Sequence, residues 1–130
     1  MSDFISILEQ KKAFHSLKGV TSEAIKDAEE KLGLKFANEY VDYLKEYGVA
    51  SFFGHELTGI CSSARLNVVD VTIEERNYNQ GIPSQLYVVE ETNFDNVIVW
   101  QDASGSIYKT APGEKIEKVG TSLAEYYSAE

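Results

Sequence analysis

Four carboxylates stand in two adjacent pairs, Glu74-Glu75 and Glu90-Glu91, and by residue type they are the groups of this chain best suited to acid–base chemistry. Paired carboxylates work that way when one is desolvated and holds its proton near neutral pH while the other stays ionised. Neighbours on a helix or strand point in different directions, however, so adjacency in sequence does not make a shared site. The two histidines are far apart: His15 falls at a helix end or loop, and His55 follows the apolar turn Phe52-Phe53-Gly54. Both read as surface or capping histidines rather than ligands or bases. Asp95 and Asp102 lie at turns but lack calcium-loop spacing. The sequence has no glycine-rich dinucleotide fingerprint, Walker-type lysine loop, His-Glu-x-x-His helix or Gly-x-Ser-x-Gly elbow. No metal or cofactor is expected, and hydrolysis by Glu74 or Glu75 with His55 is the weakest reading. Glu74, Glu75, Glu90, Glu91, Asp95 and Asp102 are taken as solvated carboxylates and, as a group, as candidate contacts to a partner protein.

The charge of the whole chain supports recognition over reactivity. Its 130 residues carry 12 basic and 21 acidic side chains, a net charge of −9. Residues 66–130 hold four bases (Arg76, Lys109, Lys115, Lys118) against eleven acids, so most of the imbalance lies there. Such a surface repels phosphate backbones and anionic lipid and attracts a basic partner. Neither nucleic acid nor membrane is expected to bind. The single cysteine, Cys61, excludes an intramolecular disulfide and a cysteine-rich zinc site, and reads as a reduced, half-buried thiol. Met1-Ser2-Asp3-Phe4 lacks the basic start of a secretory signal, and no apolar run approaches the ~20 residues that span a bilayer. A cytoplasmic protein of one domain, residues 1–130, is the expectation.

The elements that must position these carboxylates fall in two halves. Ser2 or Asp3 caps a short helix with Phe4, Ile7 and Leu8 on one face. Thr21 or Ser22 caps a clearer helix, with Glu23 in its first turn and Ile25, Ala28 and Leu32 on its apolar side, ended by Gly33. Leu34 and Phe36 plug the link to a third helix, capped by Asn38, striped by Tyr40, Val41, Tyr43, Leu44 and Tyr47, and closed by Gly48. A short strand is expected from His55 to Ile60. Residues 66–78 fit either a strand (Val69, Val71, Ile73) or a helix behind Asn67 with Leu66, Val69, Ile73 and Arg76 on one face; the helix is favoured. Runs at 86–89, 96–100 and 107–109, dense in β-branched and aromatic residues, make an antiparallel meander turned at Asn93–Asn96 and Asp102–Ser106. A fourth strand at 115–119 follows Pro112-Gly113. Trp100 points inward or sits at the sheet's rim. Thr121 or Ser122 then caps a closing helix with Leu123, Tyr126 and Tyr127 inward. The fold class is α+β: N-terminal helices, an antiparallel meander, and a C-terminal helix packed on the sheet.

From Val20 onward this order resembles the SUKH superfamily, which includes bacterial immunity proteins and a fungal regulator of cell-wall assembly. The resemblance is carried by Val20-Thr21-Ser22-Glu23-Ala24-Ile25 running into Ala28-Glu29-Glu30-Lys31-Leu32-Gly33, by Tyr40-x-x-Tyr43-Leu44-x-x-Tyr47-Gly48, and by Trp100-Gln101-Asp102 through Ile107-Tyr108 to Ser122-Leu123-Ala124-Glu125-Tyr126-Tyr127. Phe36-Ala37 stands where that family usually has Leu-Pro ahead of the tyrosine helix. The resemblance implies binding and neutralisation of a cognate toxin, and the acidic charge of the chain implies that its contact surface is basic. The alternative is an intracellular regulatory or scaffold domain that binds a host protein or small ligand.

Overall fold

The computed structural model describes residues 3–92 and 94–128. Ser2 and Asn93, expected at a cap and a turn, lie outside the described residues. The order of elements is α1 (Asp3–Glu9), β1 (His15–Lys18), α2 (Ser22–Leu32), α3 (Asn38–Glu46), β2 (Tyr47–Phe52), β3 (His55–Glu56), α4 (Val68–Tyr78), β4 (Tyr87–Glu91), β5 (Ile98–Gln101), β6 (Ile107–Thr110), β7 (Glu117–Gly120) and α5 (Leu123–Ser128). This is the α+β arrangement expected: helices, a meander ordered β4-β5-β6-β7, and a closing helix that contacts β7.

Much of the local chemistry matches the sequence reading. The Oγ1 of Thr21 accepts from Ala24 N, and Gly33 adopts the left-handed conformation (φ 69°) that ends α2. The ambiguous stretch 66–78 resolves as a helix over Val68–Tyr78, capped by Asn67, whose Oδ1 accepts from Val69 N. Its inward face is Val68, Val71 and Thr72, not the expected Leu66–Val69–Ile73–Arg76 stripe, and Ile73 is exposed. Thr72 supplies the reason: its Oγ1 accepts from Val88 N on the outer edge of β4, which fixes the rotation of the helix.

Four expectations are corrected in the first half. Asn38 is the first residue of α3 and not its cap; Ala37 holds the capping position without a side-chain bond, and its N–H donates to the buried Tyr87 hydroxyl. Gly48 does not close α3, because the chain passes at Tyr47 directly into β2. A side chain at Gly48 would meet the Lys18 carbonyl oxygen at 2.7 Å, so glycine permits the close approach of β1. His15 opens β1, which pairs with β2 and, through it, β3 in a second antiparallel sheet. The expected strand from His55 to Ile60 is regular only at His55–Glu56; beyond it, Leu57 bridges Glu90 and joins the two sheets.

The four-stranded sheet is covered on both faces. Tyr87, Val89, Val99 and Ile107 face the main core with Phe4, Leu8, Tyr40, Tyr43, Leu44, Leu123 and Tyr127. Val88, Ile98 and Trp100 face α4 with Val71. Trp100 is therefore inward, its Nε1 donating to Thr110 Oγ1 at 2.9 Å. The main core is aromatic and hydrogen-bonded throughout. The Tyr43 hydroxyl donates to the Thr58 carbonyl and accepts from Ala50 N, while the Tyr87 hydroxyl donates to Gln101 Oε1. Burial holds the Tyr40, Tyr43 and Tyr87 hydroxyls protonated by raising their pKa values far above the ordinary phenol range. α5 is anchored from a distance: the Glu39 carboxylate on α3 accepts from Leu123 N (2.6 Å) and Ala124 N (2.9 Å). A carboxylate there satisfies otherwise unpaired helix donors.

Candidate functional site

One irregularity in β4 decides where its carboxylates go. β4 and β5 pair as Tyr87 with Gln101 and Val88 with Trp100, and then, after a bulge, as Glu90 with Val99 and Glu91 with Ile98. A bulge sets two residues of one strand against one of the next and reverses the alternation beyond it. Val99 faces the main core and Ile98 faces α4. Glu90 is thereby turned into the core and Glu91 toward α4.

Glu90 is 2% exposed, and this corrects its assignment as a solvated or partner-facing group. Its Oε1 accepts from the Tyr127 hydroxyl at 2.6 Å, and its Oε2 lies 2.8 Å from Nδ1 of His55. His55 is thus engaged by Glu90, not by Glu74 or Glu75, and the hydrolytic combination considered above has no hydrogen bond in this structure.

Glu91 meets the other pair instead. Carboxylate oxygens of Glu74, Glu75 and Glu91 lie within 4.8 Å of one another at the junction of α4 and β4. These are the described side chains that could together offer oxygen ligands to a hard cation, a grouping not anticipated from the sequence. Burial, a hydrogen bond to Glu91 and the charges of Glu91 and Glu74 push the Glu75 carboxyl up to about 8. At neutral pH it is a proton-bearing member of a crowded acidic group. The neighbouring base is already engaged: the Arg65 guanidinium donates to both oxygens of Glu56, at 2.7 and 3.1 Å, and holds that carboxyl below its usual range.

Glu75 also opens onto a cleft of about 710 Å³ between the end of α4 and the β5–β6 side of the sheet, lined by Tyr78, Ile98, Thr110, Pro112 and Glu114 among others. Tyr78 is 82% exposed. An exposed tyrosine beside a carboxylate cluster and an apolar floor has the composition of an interface anchor. Sequence inspection singled out Glu74, Glu75 and Glu91 but missed Tyr78 and Glu114, whose only signal was their position at the end of a helix and after Pro112-Gly113.

The remaining two carboxylates do not join this group. Asp102 organises its own turn: Oδ1 accepts from Ser104 N, Ser104 Oγ and Ser106 N, and Oδ2 accepts from the Tyr108 hydroxyl. Burial works against its charge, but those hydrogen bonds prevail and hold the carboxyl below its ordinary range. Asp95 is exposed with φ 54° at the tip of the β4–β5 hairpin.

Over residues 1–126 the sequence matches SUKH_5, the family described as SMI1-KNR4 cell-wall. The chain belongs to that family. No curated protein matches it at a significant level. The SUKH match spans α1 to α5, so the meander, the bulged β4 and the α4 cleft all lie within the shared region. Among the described residues of this SUKH chain, no helix is long and apolar enough to cross a membrane.

Proposed function

We propose that this SUKH domain is a cytoplasmic immunity protein, acting as one domain that binds and neutralises a cognate bacterial toxin by protein–protein contact and performs no catalysis of its own. The observation that carries this reading is the convergence of Glu74, Glu75 and Glu91 beside the exposed Tyr78. Three carboxyl groups crowded together gain most from a cationic side chain that replaces their mutual repulsion with attraction. A basic toxin surface supplies that charge, Tyr78 supplies apolar contact, and the net charge of −9 raises the rate of encounter. Neutralisation then follows from steric cover of the toxin's working surface.

The family's description, SMI1-KNR4 cell-wall, favours a second reading, a regulatory or scaffold domain that uses the same cleft for a host protein. Co-expression with the toxin encoded beside the gene separates the two. Restored growth together with a co-purifying complex supports the immunity reading, whereas growth arrest with no complex defeats it.

A further inference from the structure

A second surface has the opposite character. Two hairpin tips each present an exposed phenylalanine: Phe53 (80% exposed) between β2 and β3, and Phe94 (73% exposed) between β4 and β5. Turn chemistry fixes both. Gly54 takes φ 81° behind Phe53, as the third residue of a type II turn requires, and the Phe53 N–H donates to the Lys12 carbonyl. Asp95 and Asn96 both have positive φ, and Val97 N donates to the Phe94 carbonyl, which is the mirror-image turn suited to a twisted hairpin.

Two hollows flank these tips, of about 500 Å³ on the Phe53 side and about 440 Å³ on the Phe94 side, and His55 lines both. Among the described residues, the charged side chains of the lining are Lys11 and Lys12 in the first hollow and Lys109 with the buried Glu90 in the second. Glu90 is committed to His55 and Tyr127. Lys11 donates to the Tyr127 carbonyl and lies 5.6 Å from the Phe52 ring centroid, and Lys109 lies 5.7 Å from that of Tyr126. The ammonium groups are thus held against aromatic rings, in a chain whose net charge is −9.

We propose that this groove, from Lys11 and Lys12 past Phe53 and His55 to Phe94 and Lys109, binds an acidic segment of a partner protein whose carboxylates alternate with aromatic or branched apolar side chains. Lys12 at one end and Lys109 at the other take the carboxylates, and the two phenylalanines pack on the apolar side chains between them. This surface is separate from the acidic α4 cleft and does not depend on the partner of that cleft being a toxin. The overall negative charge opposes extended polyanions, and so favours a short acidic protein segment over lipid or nucleic acid.

The test uses two fluorescein-labelled twelve-residue peptides, one alternating Asp with Phe and Leu, the other with Lys in place of Asp. Anisotropy and amide chemical shifts are recorded with the full chain. The acidic peptide is expected to bind saturably, shifting the amides of Lys12, Phe53, His55 and Lys109. K12E with K109E should weaken it at least tenfold, F53A severalfold, and E74Q with E75Q not at all. The variants must keep the far-ultraviolet spectrum of the parent and a cooperative thermal melt. The absence of saturable binding, shifts confined to α4, or equal binding of both peptides would overturn the proposal. Co-sedimentation with phosphatidylserine vesicles, or dimerisation in sedimentation velocity that F53A abolishes, would assign the surface to lipid or to a second copy and also overturn it. The toxin co-expression assay is scored separately: peptide binding without protection refutes only the immunity reading, and protection without peptide binding refutes only this one.

Discussion

Glu90 and Glu91 are consecutive residues of one strand, and the two faces of the sheet use them in opposite ways. On the core face, Glu90 is enclosed and satisfied by Tyr127 and His55, so its charge ties α5 and β3 to the sheet. On the α4 face, Glu91 is half-buried beside Glu75 and Glu74, and it is the Glu75 carboxyl there that is pushed up to about 8. The difference originates in one bulged residue. It separates carboxylates that hold the fold together from carboxylates that we propose act in recognition, and stability and binding should therefore respond to different substitutions.

The largest effect belongs to the core face. Glu90→Ala leaves a buried tyrosine hydroxyl and the Nδ1 of His55 without their acceptor, and should cost about 3 kcal/mol in urea unfolding. A loss near zero would show that water replaces the carboxylate and would erase the contrast with Glu91. Glu39→Ala comes next. It frees the N–H groups of Leu123 and Ala124 and should cost about 2 kcal/mol, with loss of amide exchange protection concentrated in α5.

On the α4 face the sign reverses. The carboxyl of Glu75 is raised to about 8 in the folded chain, against about 4.3 for an unperturbed glutamate. The folded state therefore binds more protons between those values, and this stabilisation is complete below the lower value and is lost as pH rises through the upper one. Glu75→Gln removes that loss and should make the protein more stable than the parent above pH 8, by about 1 kcal/mol for a half-exposed, solvent-screened group, with little difference near pH 4. Thermal melts from pH 4 to 9 measure it, and parallel curves for the two proteins would contradict it. The smallest energetic change is expected for Glu91→Gln. It should return the Glu75 titration toward the ordinary carboxyl range, as followed by side-chain carbon shifts, because it removes a neighbouring charge while leaving Glu74 and the burial in place.

Sequence legibility followed the same division. Capped and periodic elements were readable: Thr21 and Gly33 around α2, Asn67 before α4, and the β-branched runs of β4 to β6. The small sheet was not. All four residues of β1 are exposed, so it shows no alternation, and the transition from α3 to β2 at Tyr47 placed Gly48 where a helix-ending glycine was expected. The site was half legible. The residue types were visible, but the meeting of Glu91 with Glu75 depends on the bulge and on the rotation of α4 set by Thr72 and Val88. Neither leaves a mark in local periodicity.

The carboxylates of the α4 face are proposed to recognise a basic partner, with the fold held elsewhere. The most direct test is the association rate with a candidate cognate toxin, measured from low to high ionic strength for the parent and for the triple variant E74Q, E75Q, E91Q. The triple variant is expected to keep the fold, to associate on the order of tenfold more slowly at low salt, and to show a flattened salt dependence. Identical rates and identical salt slopes for the two proteins would contradict it.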